Sequence, residues 1–435
     1  MNNMESRLVF DMRISTVVPA KVTGDNMDVD HEFTSMDLAL KLHYIKGVYF
    51  FKNEAVQGIS INELKTPMFT LLGLEPYYTA CGRIRRRDDK GGRPFIKCND
   101  AGIRIVEARS EMTVDQWLAM EDRSLDTRCL AYGQVLGPDI HFSPLVYVQF
   151  TSFTCGGMSV GLSWAHILGD IFFASNFINK WSHLVSGHVP KDHLHVPKME
   201  KSEFPTSIPE KLLTMKKVNP VGDHWLKVSN RDMRAHYFHI SPQQLDHIAS
   251  NVYDTKQTSK MSHFELLSAI IWKLLSKIRG DSELRDVTIC TNGPRYRENG
   301  IKANGMVISR VQAEFSLAKA HVSQLAMLID HKKVDESEVI EETLRGYNER
   351  LDFIVYGANL TFVNLEEANI YGLELKGQGP EFVNYIIDGV GDEGVVLVLP
   401  GPKVEAGIGR TVSMVLPENQ LARLIKELEK EWNLV

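Results

Sequence analysis

A histidine four residues ahead of an aspartate, His166 and Asp170, is the best-placed pair in this chain for proton-transfer chemistry. Imidazole titrates near neutrality, so one positioned ring can take a proton from a nucleophile and return it to a leaving group. Spacing alone decides nothing, because 15 His and 55 acidic residues give about two His-x-x-x-acid pairs by chance. Three His-x-x-x-Asp pairs occur: His166/Asp170, His188/Asp192 and His331/Asp335. The second spans Pro190, and the third lies in the charged run His331-Lys332-Lys333-Val334-Asp335-Glu336. Only the first has apolar neighbours able to exclude water and shift a pKa. On residues alone, a satisfied structural histidine remains the favoured reading of His166, with a general base as the alternative.

The elements around the pair are legible. Leu145 to Phe150 reads as a strand, and Cys155-Gly156-Gly157 supplies a reversal. The next strand alternates, with Met158, Val160, Leu162 and Trp164 on one face and Ser159, Gly161 and Ser163 on the other. A face of such small residues implies close approach of another backbone, a helix or a ligand. Phe177, Ile178, Trp181, Leu184 and Val185 then mark an amphipathic helix. His166 and Asp170 therefore fall in a strand-to-helix connection, with His166 continuing the packed row if the strand persists.

Elsewhere, a strand-like Val17-Val18 precedes a helix capped at Ser35, a strand at 48–51 and a helix around 61–74. Asn99 to Gly102 is turn chemistry between strands at 94–98 and 103–108. The stretch 190–220, rich in Lys, His, Pro and Ser, reads as a crossover. A strand at 236–240 follows, then a helix capped near Ser241-Pro242. Leu266, Leu267, Ile270, Ile271, Leu274 and Leu275 form a helical stripe. The remainder reads mostly as strands to Leu416. The last helix has Pro417 in its first turn and Leu421, Leu424, Ile425, Leu428 and Trp432 on one face. Trp181, Trp272 and Trp432 read as core.

With 435 residues, the chain is too long for one ordinary core, which predicts an N-terminal sub-domain over 1–190, a linker over 191–225 and a C-terminal sub-domain over 226–435. A net charge of -6 gives no reason to expect nucleic acid. The basic run Arg83-Ile84-Arg85-Arg86-Arg87, answered by Asp88 and Asp89, reads as a solvated strand end and turn. Cys81, Cys98, Cys129, Cys155 and Cys290 are scattered and odd in number, so reduced thiols are expected, with no zinc site. The first residues lack the blocks of a secretory signal, and no run approaches the ~20 apolar residues of a membrane span. The longest apolar run, Val395 to Leu399, is strand-sized.

The string Pro144 to Phe150, Phe153-Thr154-Cys155-Gly156-Gly157 and Ser163-Trp164-Ala165-His166-Ile167-Leu168-Gly169-Asp170 resembles the central block of the plant BAHD acyltransferases. Ser35-Met36-Asp37 with Tyr44, Pro76-Tyr77-Tyr78 with Gly82-Arg83, the Cys98-Asn99 to Glu107 strand pair, and Glu265 to Trp272 with Arg279-Gly280 extend the likeness in order along nearly the whole chain. The resemblance implies an α/β fold of two similar sub-domains, each a mixed sheet with flanking helices, like chloramphenicol acetyltransferase. It further implies a channel between them, with His166 reachable from both ends. His166 would be the general base that lets an alcohol or amine attack an acyl-CoA thioester, and Asp170 a structural brace. Acyl-CoA would be a co-substrate, with no permanently bound cofactor and no metal.

Two positions depart from the family pattern. Ile171 stands where a Gly normally follows the aspartate, and the family's Asp-Phe-Gly-Trp-Gly signature is replaced by Glu374-Leu375-Lys376-Gly377-Gln378. Asp388 to Gly394 is Gly-rich and acidic and reads as a hairpin connection. An intact His-x-x-x-Asp beside an eroded second motif, with 48–51, 162–170 and 357–365, is similar to the Eceriferum and Glossy wax clade. That resemblance implies an accessory to the condensing enzyme of the endoplasmic-reticulum elongase, a 3-ketoacyl-CoA synthase, in very-long-chain acyl extension for cuticular wax. It implies a monomer held at the cytosolic face of that membrane by its partner. The alternative is a working acyl-CoA-dependent O- or N-acyltransferase, and a third reading is a non-catalytic acyl-chain binder.

Overall fold

The computed structural model describes residues 8–23, 29–87, 92–188, 213–227, 229–253, 262–280, 284–293, 303–345 and 351–434. Strands in the first part are β1 (Phe10–Val17), β2 (Asp30–Glu32), β3 (Tyr44–Phe51), β4 (Arg83–Arg86), β5 (Pro94–Lys97), β6 (Ile103–Arg109), β7 (Val146–Ser152) and β8 (Met158–Ala165). Those in the second are β9 (Lys216–Val218), β10 (Met233–Ile240), β11 (Asp286–Asn292), β12 (Met306–Gln312), β13 (Val334–Asp335), β14 (Asp352–Ile354), β15 (Leu360–Asn364), β16 (Phe382–Asp388), β17 (Val395–Val404) and β18 (Gly407–Pro417).

Two mixed sheets organise the molecule. One has the order β1-β6-β7-β8-β3-β16 and the other β10-β18-β17-β15-β11-β12-β13. The first contains one parallel pair, β6 with β7, and the second two, β11 with β15 and β15 with β17. One strand crosses between the halves: β16 pairs antiparallel with β3 from Phe382↔Phe50 to Asp388↔Tyr44 and closes the edge of the first sheet. The helix Ile61–Leu71 packs against the helix Ile171–Val185, and Trp181 Nε1 donates to Leu64 O at 2.8 Å. In the second half, the helix His263–Arg279 packs between the helices Val322–His331 and Glu418–Trp432.

The β7–β8 hairpin follows its sequence pattern. Gly156 takes φ +81 at the reversal, and all eight residues of β8 are buried. Its small-residue face is covered by the chain at 130–133: a Cβ on Gly161 would lie 1.8 Å from Leu130 O, and Ser163 Oγ donates to Ala131 O at 3.1 Å. On the other face, Trp164 packs on Phe173 and Phe177 with centroids 5.8 and 5.3 Å away and donates to Gly169 O at 3.1 Å. Trp164 thereby fixes the end of the strand against the helix that carries Asp170 at its cap.

Several expectations need correction. The helix Ser35–Ala39 is capped by Thr34, whose side chain and that of Asp37 bond each other's backbone N–H reciprocally. The turn at 99–102 separates β5 from β6 as the sequence reads it, and the two strands enter different sheets, β5 beside β2 and β4, and β6 between β1 and β7. Arg83 is not solvated; it is 3% exposed and donates to the carbonyls of Gly82, Ala101 and Gly102, which take three of the five N–H donors of the buried guanidinium. Arg87 is exposed, and Asp88 and Asp89 lie outside the described residues. The region read as mostly strands contains two helices, Val322–His331 and Ser337–Arg345. Asp388 to Gly394 joins strands of different sheets and is not a hairpin. Pro417 is the cap residue of the last helix, one position before its first turn, and Trp432 is half-buried. In the crossover, 191–212 lies outside the described residues, while β9 pairs with β14.

Candidate active site

Strand β8 ends at Ala165, and His166 begins a single 3-10 turn, His166–Leu168. Its amide donates to His43 O at 3.1 Å, which ties the turn to the segment before β3. Gly169 follows at φ +149, where a Cβ would meet Phe173 Cδ1 at 2.7 Å and Ala303 O at 2.9 Å. Only glycine fits there without displacing backbone.

The Asp170 carboxyl is engaged by backbone amides. It caps the helix Ile171–Val185 by accepting from Phe173 N at 3.1 Å, and its other oxygen accepts from Gly305 N at 3.1 Å. Its own amide donates to Ala303 O at 2.8 Å. A carboxylate from the first half thus holds the backbone at 303–305 of the second. Burial raises the Asp170 carboxyl to about 7, against the opposing pull of the Phe173, Gly305 and Phe172 amides.

The expected passage to His166 is not open at the ring, which is 0% exposed. His166 Nε2 lies 3.2 Å from Tyr356 Oη, with ring centroids 5.4 Å apart. His43 sits 6.5 Å from His166 and 4.9 Å from Tyr356 between ring centroids. Asn304 crosses from the second half, donating through Nδ2 to His166 O at 3.0 Å and to Asp37 Oδ1 at 2.8 Å. Its Oδ1 and His166 Nδ1 are both without a hydrogen-bond partner among the described residues. Burial holds the His166 imidazole down at about 4, against weaker upward pulls from its own backbone and the Asn304 side chain. At neutral pH the ring is uncharged. Burial also keeps the Tyr356 phenol well above its ordinary pKa, so the hydroxyl retains its proton and donates to Nε2 in the tautomer that carries the ring proton on Nδ1.

His43 is the third member of this cluster. Burial first, and then the His166 ring, lower it to about 3, so it too is neutral. The neutral form suits its partners. Nδ1 lies 3.1 Å from Gly389 O and carries the proton toward it, while Nε2 accepts from Val355 N at 3.2 Å and Tyr356 N at 3.3 Å. The arrangement resists protonation, because a protonated Nε2 would face two donors.

The other motif residues lie elsewhere. Glu374 to Gln378 forms a two-residue reversal in which Leu375 and Gln378 exchange backbone bonds of 2.9 Å across Lys376 at φ +50 and Gly377 at φ +71. Leu375 is buried, and Glu374, Lys376, Gly377 and Gln378 are exposed. Lys376 Nζ donates to Gln57 O, and Glu374 N to Ser182 Oγ at 3.3 Å. The reversal walls a groove of about 1070 Å³ with residues of the helices Ile61–Leu71 and Ile171–Val185, and His166 is not among its lining residues. A cavity of about 40 Å³ beside Tyr44, Ser163 and Ala165 also stops short of the ring. Of the remaining pairs, His331 and Asp335 are exposed, and Asp192 lies outside the described residues. All five cysteines are free thiols, of which only Cys155 is exposed. Among the described residues, no group of His, Cys, Asp or Glu is arranged to hold a metal ion.

Tyr356, His43 and Asn304 were not singled out from the sequence. His43 adjoins the landmark Tyr44, but nothing in the local pattern marks Tyr356 or Asn304.

A family model described as the Transferase family matches residues 9–292. Protein Eceriferum 2 of Arabidopsis thaliana is 41% identical over 432 residues, covering 98% of this chain and 99% of that protein. Protein Eceriferum 26-like of the same plant is 37% identical, covering 97% and 96%. Among solved structures, vinorine synthase aligns with TM-score 0.66 at 16% identity, covering 95% of this chain and 96% of that one. TRI101 of F. graminearum, crystallised with coenzyme A and deoxynivalenol, aligns with TM-score 0.67 at 15% identity, covering 93% and 98%.

Proposed function

Because this chain belongs to the Transferase family of BAHD acyltransferases, we propose that it acts in cuticular wax formation as an accessory to the elongase condensing enzyme, a 3-ketoacyl-CoA synthase, and extends the acyl lengths that enzyme makes. The observation that carries this reading is the engaged imidazole: in a protein alike along its whole length to Eceriferum 2, the one motif histidine has its Nε2 bonded to Tyr356 inside the fold. A fold whose landmarks persist while its motif histidine is occupied and its second motif is a simple reversal fits a scaffold role. Acyl-CoA is the ligand class that the fold suggests, since TRI101 binds coenzyme A. Among the described residues, no helix is long and apolar enough to cross a membrane. Work at the endoplasmic reticulum would then go through the partner.

The test is the His166→Ala variant expressed in a host that supplies the condensing enzyme, with acyl chain lengths measured. Unchanged elongated products are expected. Their loss, with the protein still folded, would favour the second reading, an acyl-CoA-dependent O- or N-acyltransferase with His166 as base and Asp170 as brace. That reading is supported by the intact turn from Ala165 to Asp170, in which Gly169 and the helix cap are both preserved.

A further inference from the structure

We infer that the Tyr356 hydroxyl is an internal stand-in for an acceptor hydroxyl, seated on His166 Nε2 so that acyl-CoA chemistry at that nitrogen is blocked. A general base must lie within hydrogen-bond reach of the proton it removes, roughly 2.6–3.2 Å between heavy atoms. Tyr356 Oη occupies that place at 3.2 Å. The phenol is a poor acyl acceptor as it stands, because burial holds its proton tightly and both partners are enclosed, at 2% and 0% exposure.

The backbone beneath Tyr356 is clamped, so its aim does not depend on a loose side-chain rotamer. His43 Nε2 accepts the amides of Val355 and Tyr356, and Gly391 N donates to Tyr356 O at 2.9 Å. Gly357 follows at φ +83, so close to Gly391 that a Cβ would lie 2.5 Å from its carbonyl oxygen. His43 belongs to the first half and both glycine loops to the second, so closing the halves is what delivers the hydroxyl to the imidazole. His43 is accordingly a positioning residue for the block.

The inference rests on the reading that this fold accepts acyl-CoA. With the hydroxyl gone, a water at Nε2 gives its proton to His166 as its oxygen bonds the thioester carbon. The C–S bond then breaks, and the thiolate takes the proton back from the ring, leaving a fatty acid and free coenzyme A.

The experiment measures thiol release from octadecanoyl-CoA by the full chain. Tyr356→Ala is expected to raise release roughly 10²-fold, the low end of what a general base contributes. Tyr356→Ala combined with His166→Ala is expected to return to the wild-type rate. A folded Tyr356→Ala protein with no gain, or a gain that survives removal of His166, overturns the inference. So does an octadecanoyl group found on wild-type Tyr356 by mass spectrometry, which would make the phenol an acceptor in its own right. Tyr356→Phe keeps the packing and removes only the donor, so it covers the case in which the alanine variant does not fold. Losing a bond to the neutral ring must raise the His166 pKa, read by imidazole NMR, and an unchanged value counts against the block. Chain-length assays of Tyr356→Phe beside the condensing enzyme separate the two ideas, since unaltered wax products leave the accessory role standing whatever the thiol assay returns.

Discussion

Lys41 Nζ and Asp352 Oδ1 meet at 2.6 Å, with both side chains 3% exposed, and join the segment ahead of β3 to β14 in the other half. The ammonium also lies 5.0 Å from the centre of the Trp225 ring, and Asp352 Oδ2 accepts from Val221 N at 2.7 Å. Removing one partner of a buried pair leaves an uncompensated charge, which costs about 3–5 kcal/mol. Lys41→Met is therefore expected to lower the unfolding free energy by that amount. Adding Asp352→Asn should recover much of it, and urea unfolding of the two variants checks the difference.

Two of the amides that the Asp170 carboxyl holds, on Phe173 and Gly305, belong to different halves of the molecule. Asp170→Ala orphans both in a dry setting, at about 1–3 kcal/mol for each buried group. The expected outcome is loss of stability together with faster hydrogen exchange at Phe173 and Gly305. Full protection at Gly305 would show that the second half does not depend on this carboxyl.

The buried imidazoles make stability fall in acid. An unfolded histidine titrates near 6.5, whereas the fold holds His166 at about 4 and His43 at about 3. Between those values the unfolded chain binds more protons, so the contribution is complete above pH 6.5 and is lost as pH falls toward 4 and 3. Asp170 has the opposite sign: raised from 3.8 to about 7, its contribution is present at low pH and lost as pH rises through 7. It is common to both proteins when wild type is compared with His166→Gln. The variant should lose less stability than wild type between pH 7 and 5, by on the order of 1–2 kcal/mol. Equal losses would mean that the ring titrates in the fold as it does in the unfolded chain.

Gly161 and Ser163 test the covered face of β8. Alanine at 161 would drive a methyl into the Leu130 carbonyl, an overlap that the local backbone can relieve only by moving. A loss of about 4–5 kcal/mol or failure to fold is expected for Gly161→Ala. Ser163→Ala gives up only the bond to Ala131 O and should cost about 1 kcal/mol.

What the sequence disclosed was what local periodicity encodes. The alternation at 158–164, the Gly-Gly reversal and the stripe from Leu266 to Leu275 each specify an element through neighbours a few residues apart, and each element is present. The helix Val322–His331 was overlooked although Val322, Leu325, Ala326 and Ile329 have helical spacing; its short length and charged flanks hid it among strand-like neighbours. The site divides the same way. His166 and Asp170 are four residues apart, whereas Tyr356 lies 190 residues from His166 and Asn304 lies 138. No periodicity links residues that meet only once two sheets have formed. Arg83 was misjudged because its acceptors, the carbonyls of Ala101 and Gly102, are supplied by a turn whose path no charge count reveals.

Strand β16 carries a consequence for biosynthesis. Until the ribosome has released residue 388, the bonding edge of β3 facing Asp388 to Phe382 has no partner, so the first sheet waits for a segment made more than three hundred residues after β3. A nascent chain halted before that point presents an open hydrophobic border of the kind that recruits chaperones or other strands. Expressed fragments of the first half should therefore clump unless a peptide corresponding to 382–388 is given to them.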